Sequence, residues 1–194
     1  MNVKHNREEV IKKGLKLFCI DGYSAVGVDA ICKTTGMTKG AFYNAFGSKE
    51  HFLLTCLAYY ADQNCIRIGK KLIAAGAKSP LQRLEKFYID MLQVQSDIQY
   101  MGCMVNNMMS ELGSSNELVG KATNQYFEHF LDALEPTIKE AQLACELTSA
   151  IESRQIANLL HATFYGILTR IKSSHDREQS ILTMRLIIQT LKNK

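Results

Sequence analysis

REEVIKKGLKLFCIDGYSAVGVDAICKTTGMTKGAFYNAFGSKEHFL, residues 7–53 of a 194-residue chain, decides the fold. Val10, Ile11, Gly14, Leu15, Phe18 and Cys19 follow the i, i+4, i+8 rows of one helical face, and Lys12, Lys13 and Lys16 lie off it. Gly22 is placed to end that helix as a left-handed cap. Two short helical pieces follow, Val28 to Thr35 and Lys39 to Phe46, separated by Gly36, Met37 and Thr38. Ser48 is placed to cap a long helix running through Leu57 to about Ala75. Helix, tight turn, helix is the frame of a DNA-reading helix-turn-helix, and equally of paired helices that never meet DNA.

The second short helix separates those readings face by face. At about 100° per residue, Lys39, Gly40, Tyr43 and Asn44 share one arc, and Ala41, Phe42, Ala45 and Phe46 fill the opposite one. The first arc carries what a major-groove reader needs. Thr38 and Lys39 stand at the helix start, Asn44 is an amide donor and acceptor, and Tyr43 can donate to phosphate. Gly40 removes a side chain where the helix approaches a duplex. Lys49, just after Ser48, sets an ammonium beside free backbone donors, a phosphate clamp. Lys4 and Arg7 add charge at the N-terminus. The alternative is a polar face that is simply solvated.

Helical spacing recurs to the end of the chain, and no segment alternates as a strand for more than a few residues, so the fold class is all-α. Further helices are expected at about Leu81 to Gln95, Cys103 to Leu112, Asn116 to Leu147 with Pro136 kinking or interrupting it, Ser153 to Lys172, and Asp176 to Lys192. With 46% hydrophobic and 22% charged residues and two prolines, the composition is that of a folded chain. The formal charge is +4. Eight Lys or Arg against five Asp or Glu in residues 1–60 put most of the basic excess in the first third. The longest charge-free stretches, Gln155 to Thr169 and Ile98 to Ser110, are too short to span a bilayer, and residues 1–17 lack the apolar run of a signal peptide. A cytoplasmic location is the expectation. Six cysteines without a C-x-x-C pair argue against a zinc site and for small buried hydrophobes. No metal and no cofactor is expected.

The run from Arg7 to Leu53 resembles the N-terminal domain of the tetracycline-repressor (TetR) family of bacterial transcription regulators. The resemblance rests on Leu17, Phe18, Gly22, Tyr23, Ile31, Gly36, Thr38, Gly40, Phe42, Tyr43, Phe46, Ser48 and Lys49. It implies a three-helix helix-turn-helix domain over residues 1–50 and a helical effector-binding and dimerisation domain over residues 51–194. It also implies a homodimer that holds a palindromic operator on double-stranded DNA and releases it when a small molecule enters the second domain. One departure concerns phosphate contact: where the family commonly has Thr followed by Ser or Thr, this chain has Val26 and Gly27, so only the Gly27 backbone donor remains there.

In residues 153–192, Ile156, Leu159, Leu160, Thr163, Phe164, Ile167, Leu168 and Ile171 make one stripe, and Ile181, Met184, Ile188 and Leu191 another. Leu182, Leu186 and Ile187 add a second apolar face. Helices apolar on two faces need two neighbours, the chain's own core and, on the resemblance, a partner's copy. Met91, Met101, Met104, Met108 and Met109 cluster, with Phe87, Tyr126, Phe127 and Phe130 on flanking helices. They line an adaptable pocket or fill the core; His161, Tyr165, Asn106 and Asn107 are its candidate polar groups. Cys103 follows Gly102 near a helix start, where free backbone donors favour a thiolate. The segment GCMVNNMMSEL is similar to one in a branch of the TetR family, some of whose members sense electrophiles or oxidants through a cysteine. Cys103 is thus a candidate sensor, or a packing residue. A helical thiol-dependent enzyme is the competing class, against which no Gly-rich phosphate loop, metal-ligand cluster or H-E-x-x-H motif occurs. A protein-binding adaptor is the other, separated from a regulator by whether the chain shifts a palindromic duplex.

Overall fold

The structure, a computed structural model, describes residues 6–73 and 78–193. Lys4 therefore lies outside the described residues. Nine helices appear among them: α1 (Arg7–Ala25), α2 (Val28–Thr35), α3 (Lys39–Phe46), α4 (Lys49–Ile73), α5 (Pro80–Gln93), α6 (Met104–Leu112), α7 (Glu117–Leu143), α8 (Ser153–Ser174) and α9 (Arg177–Thr190). No strand forms among them; the one extended pairing is an isolated antiparallel bridge between Leu147 and Lys192.

Local chemistry sets several of these ends. The Asn6 side chain accepts from the backbone N–H groups of Glu8 and Glu9 at the start of α1. Thr38 accepts from Ala41 N–H at α3, Ser48 from His51 N–H at α4, and Ser79 forms a capping box with Gln82 at α5. Gly22 has φ +76° and ψ 171°, an extended left-sided conformation rather than the expected helical cap, and one more turn, Tyr23 to Ala25, follows it. Pro136 does not interrupt α7, which runs unbroken from Glu117 to Leu143. It lies on the exposed face, where the carbonyl four residues earlier can bond to water instead.

The chain divides into two compact units. One takes in the chain up to Gln63 together with Cys103–Tyr126; the other takes Asn64–Gly102 together with the chain from Phe127. In the first, Phe52 of α4 is the hub: its ring centroid lies 5.9 Å from Phe18, 5.4 Å from Phe42 and 4.6 Å from Phe46. All four are buried, so truncating Phe52 to Ala costs about 3–5 kcal/mol. Gly14 lets α1 lie against this hub, since a Cβ there would stand 2.3 Å from the Phe52 ring. In the second unit, Leu84 and Leu92 of α5, Leu134 and Ile138 of α7, and Ile156, Leu160, Leu168 and Ile171 of α8 are buried, as are Met184 and Ile188 of α9.

Candidate functional site

Helix α3 is held by Phe42 and Phe46, which are buried, and its other side is open. Thr38, Lys39, Gly40, Tyr43 and Asn44 are all exposed, with Tyr43 at 49% despite its ring. Nothing lies within 4 Å of a Cβ built on Gly40. Ala45, expected with the core arc, is exposed, because eight residues of helix rest on the hub through two phenylalanines alone. The two short helices lie as a pair on the first unit, joined at the left-handed Gly36. Lys39 is not alone on its face: its ammonium lies 2.7 Å from the Asp29 carboxylate of α2, which holds the ammonium pKa above its ordinary value by hydrogen bonding. Gly27 caps α2 with extended backbone and no side-chain bond, and it is exposed. Arg7 stacks its guanidinium 5.4 Å from the Phe46 ring centroid.

Lys49 departs from the expected free clamp. Its ammonium donates to the carbonyls of Tyr23 (3.0 Å) and Val26 (2.9 Å) and lies 3.9 Å from the centre of the Tyr23 ring. The Tyr23 carbonyl also accepts the Val26 N–H at 3.2 Å, so the ammonium adds a second, charged donor there and supplies one to the Val26 carbonyl, at the negative end of the helix. From α6, Glu111 closes the same turn with the opposite charge: its carboxylate accepts the N–H groups of Tyr23 at 2.9 Å and Ser24 at 2.8 Å. Partial burial raises its pKa, but the two amide donors and the Lys49 charge outweigh that and leave it below the ordinary carboxylate value. No sequence signal announced Glu111, nor Asp29, since both pairings cross between elements.

Also in the first unit, Cys103 is the N-cap of α6, 8% exposed, with no side-chain bond to the helix. Burial raises the Tyr60 phenol well above its ordinary range, and hydrogen-bonded Cys103 adds to the shift. The Cys19 thiol lies 3.5 Å from the Met104 sulfur. Met104 and Met108 are fully buried, and Tyr126 is half-buried, its phenol raised by burial and then by the Asp62 charge.

The remaining candidates fall in the second unit. His161 is buried at the centre of a ring of aromatics, with centroids at 4.7 Å for Tyr165, 5.3 Å for Phe127, 5.5 Å for Phe130, 5.8 Å for Phe164 and 6.5 Å for Tyr88. Among the described residues neither imidazole nitrogen has a hydrogen-bond partner, and neither has the Tyr88 hydroxyl. Burial holds the imidazole pKa down to about 3 and pushes the Tyr88 phenol up. An unpaired buried polar group costs about 1–3 kcal/mol. Phe87 packs edge-on to Tyr88 at 5.1 Å, while Met91 is half-buried beside it on α5. Tyr88 and Phe164 complete the aromatic ring and were not singled out as site residues by sequence, Phe164 being legible only as part of an apolar stripe. No group of three or more His, Cys, Asp or Glu among the described residues is placed to hold a metal ion. No helix among them is long and apolar enough to cross a membrane.

Comparison with known proteins agrees with this architecture. The family described as bacterial regulatory proteins, tetR family, matches residues 10–56, and the tetracyclin repressor-like C-terminal domain matches residues 80–187. The HTH-type transcriptional repressor DhaR of Mycobacterium sp. (strain GP1) is 25% identical over 185 residues, which cover 95% of this chain and 91% of that protein. The transcriptional regulator AcuR of Cereibacter sphaeroides is 28% identical over 166 residues, 85% of this chain and 75% of that one. A TetR regulatory protein from Rhodobacter sphaeroides superposes with a TM-score of 0.85 at 25% identity, covering 95% of this chain and 97% of that chain. The reduced form of Escherichia coli NemR shares the fold, with a TM-score of 0.85 at 22% identity over 97% of each chain. Matched in both of its regions, the chain belongs to the tetR family of bacterial regulatory proteins, transcription regulators that bind DNA operators and small-molecule effectors.

Proposed function

We propose that the chain is a one-component repressor that grips a palindromic operator as a homodimer and lets go when an effector acts on its helical region. The observation that carries the DNA half is the bare face of α3 and its N-cap: Thr38, Lys39, Tyr43 and Asn44, four exposed side chains able to donate or accept, beside a bare Gly40, on a helix anchored from behind by Phe42 and Phe46. Lys39, Asn44 and Thr38 read base edges in this account, and Tyr43, Arg7 and the Gly27 backbone meet phosphates.

Residues 153–192 supply the partner surface. Ile156, Leu160, Phe164, Leu168, Met184 and Ile188 are buried in the chain's own core, whereas Leu159, Leu182 and Leu186 are 43%, 57% and 61% exposed. Isolated exposed leucines are ordinary; three on adjoining helices, beside a Gly166 whose outer side is empty, support a two-fold helix-on-helix contact.

Release acts through α6 in this reading. Cys103 begins that helix and Glu111 stands in its last turn, holding the end of α1. A bulky adduct on the buried Cys103 thiol, or a ligand in the helical region, displaces α6 and with it the α1 turn that Lys49 and Glu111 hold. An electrophile or oxidant is one effector class for that route. Fluorescence anisotropy of the purified protein on the palindrome upstream of its own gene tests the proposal: sequence-selective binding that tightens as salt is lowered supports it, and equal affinity for palindrome and random duplex refutes it.

A further inference from the structure

The aromatic ring around His161 is an unusual way to fill volume. Phe127 and Phe130 come from α7, Phe164 and Tyr165 from α8, and Tyr88 from α5, all within one compact unit. Buried polar groups are nearly always paired. Here three polar atoms, both imidazole nitrogens and the Tyr88 hydroxyl, have no partner among the described residues, although His161 is 3% exposed and Tyr88 not exposed at all. A core needing only volume is served by Phe and Leu at these positions. The arrangement puts hydrogen-bonding atoms without a protein partner inside an apolar shell.

The chemistry of a ligand for these atoms follows from what faces it. The imidazole is neutral and so offers one donor and one acceptor, and the phenol offers the same pair. None of the six side chains carries a charge that could neutralise a carboxylate, a phosphate or an ammonium, so a charged ligand pays for its dehydration without a counter-ion. We infer that the His161 nitrogens and the Tyr88 hydroxyl anchor a compact, uncharged hydroxyl compound, an alcohol or a phenol, whose apolar body lies against the surrounding rings. The hydroxyl group both donates and accepts, which is what the two unpaired side chains require. The inference rests on the reading of the helical region as the effector-binding part, and it names the class of molecule that region takes.

The test titrates the full chain at pH 7 with phenol, with toluene as its near-isosteric apolar counterpart, and with benzoate and benzylammonium, followed by calorimetry. Wild type is expected to bind one phenol per chain at least tenfold more tightly than toluene. Tyr88→Phe deletes one oxygen and keeps the ring; it is expected to lose about tenfold for phenol, leave toluene unchanged, and melt no lower than wild type when empty. His161→Leu repeats the phenol loss. Phenol no tighter than toluene, unchanged phenol affinity in Tyr88→Phe, or benzoate or benzylammonium ahead of phenol overturns the inference. The wild-type sample is also run on its upstream palindrome: a shift there, with no phenol preference, removes this inference alone, whereas no shift removes the regulator reading on which it rests.

Discussion

Glu111 of α6 holds Tyr23 of α1 through the backbone, accepting its N–H at 2.9 Å across 88 positions of sequence, and takes the Ser24 N–H with its other oxygen. Lys49 also bonds this turn, so one carboxylate holds its donors and one ammonium its acceptors. Glu111→Ala is expected to lower amide-exchange protection of Tyr23 and Ser24 about fivefold, consistent with losing about 1 kcal/mol of charge-assisted bonding at a partly exposed site. Because the folded carboxyl lies below its ordinary value, this support is present above about pH 4.5 and fades as the pH falls through the folded pKa. Hydrogen exchange by NMR decides it; unchanged protection at both amides sinks the link.

Lys49→Ala is expected to lower stability by about 2 kcal/mol in urea unfolding, since it removes a charged donor from the Tyr23 and Val26 carbonyls at the end of α1. Operator and random DNA should both bind more weakly. Lys39→Ala and Asn44→Ala should instead leave the unfolding midpoint in place and flatten the preference for operator over random duplex. Equal effects of all three variants on both DNAs contradict this division of roles.

Leu186→Glu places a charge on a side chain that is 61% exposed in the single chain. The folded chain should tolerate it, and sedimentation should shift from two copies to one. Operator affinity then falls by about a hundredfold, because two reading heads no longer act together. A variant that still sediments as a pair moves the partner surface off α9.

His161 predicts a pH dependence of stability. Its folded pKa of about 3 lies below the ordinary 6.5, so between those values the unfolded chain binds more protons. Stability therefore falls as the pH drops from 6.5 toward 3, by up to about 1.4 kcal/mol per pH unit from this residue. Urea unfolding at pH 7, 6 and 5 should show a shallower slope in His161→Leu than in wild type. Parallel slopes mean that the His161 ring titrates alike in the folded and unfolded chain and contradict this prediction.

Cys103 can be separated from the other five cysteines by one substitution. N-ethylmaleimide should weaken operator binding by wild type and leave Cys103→Ser unaffected, with slow kinetics set by a thiol only 8% exposed. An unchanged response in Cys103→Ser assigns the effect elsewhere.

Much of this molecule is local and was therefore legible in its residue order. The 3.6-residue spacing located all nine helices within a few residues, Ser48 and Thr38 marked their starts, and the opposed arcs of α3 followed from periodicity alone. Pro136 does not interrupt α7, and Gly22 breaks the helical backbone of α1 without ending it, because backbone habit is settled by surroundings. An exposed carbonyl tolerated the first, and Glu111 lies 3.0 Å from where a Cβ on the second would stand. What only the tertiary structure decided is pairing at a distance: Lys49 turned from phosphate clamp to helix cap, Asp29 drawn to Lys39, Glu111 joined to Tyr23, and five rings closed around an unpartnered imidazole. Periodicity tells which face of a helix is buried, but hydrogen bonds and ion pairs reach only about 3 Å, and which groups come that close is set by how the helices cross.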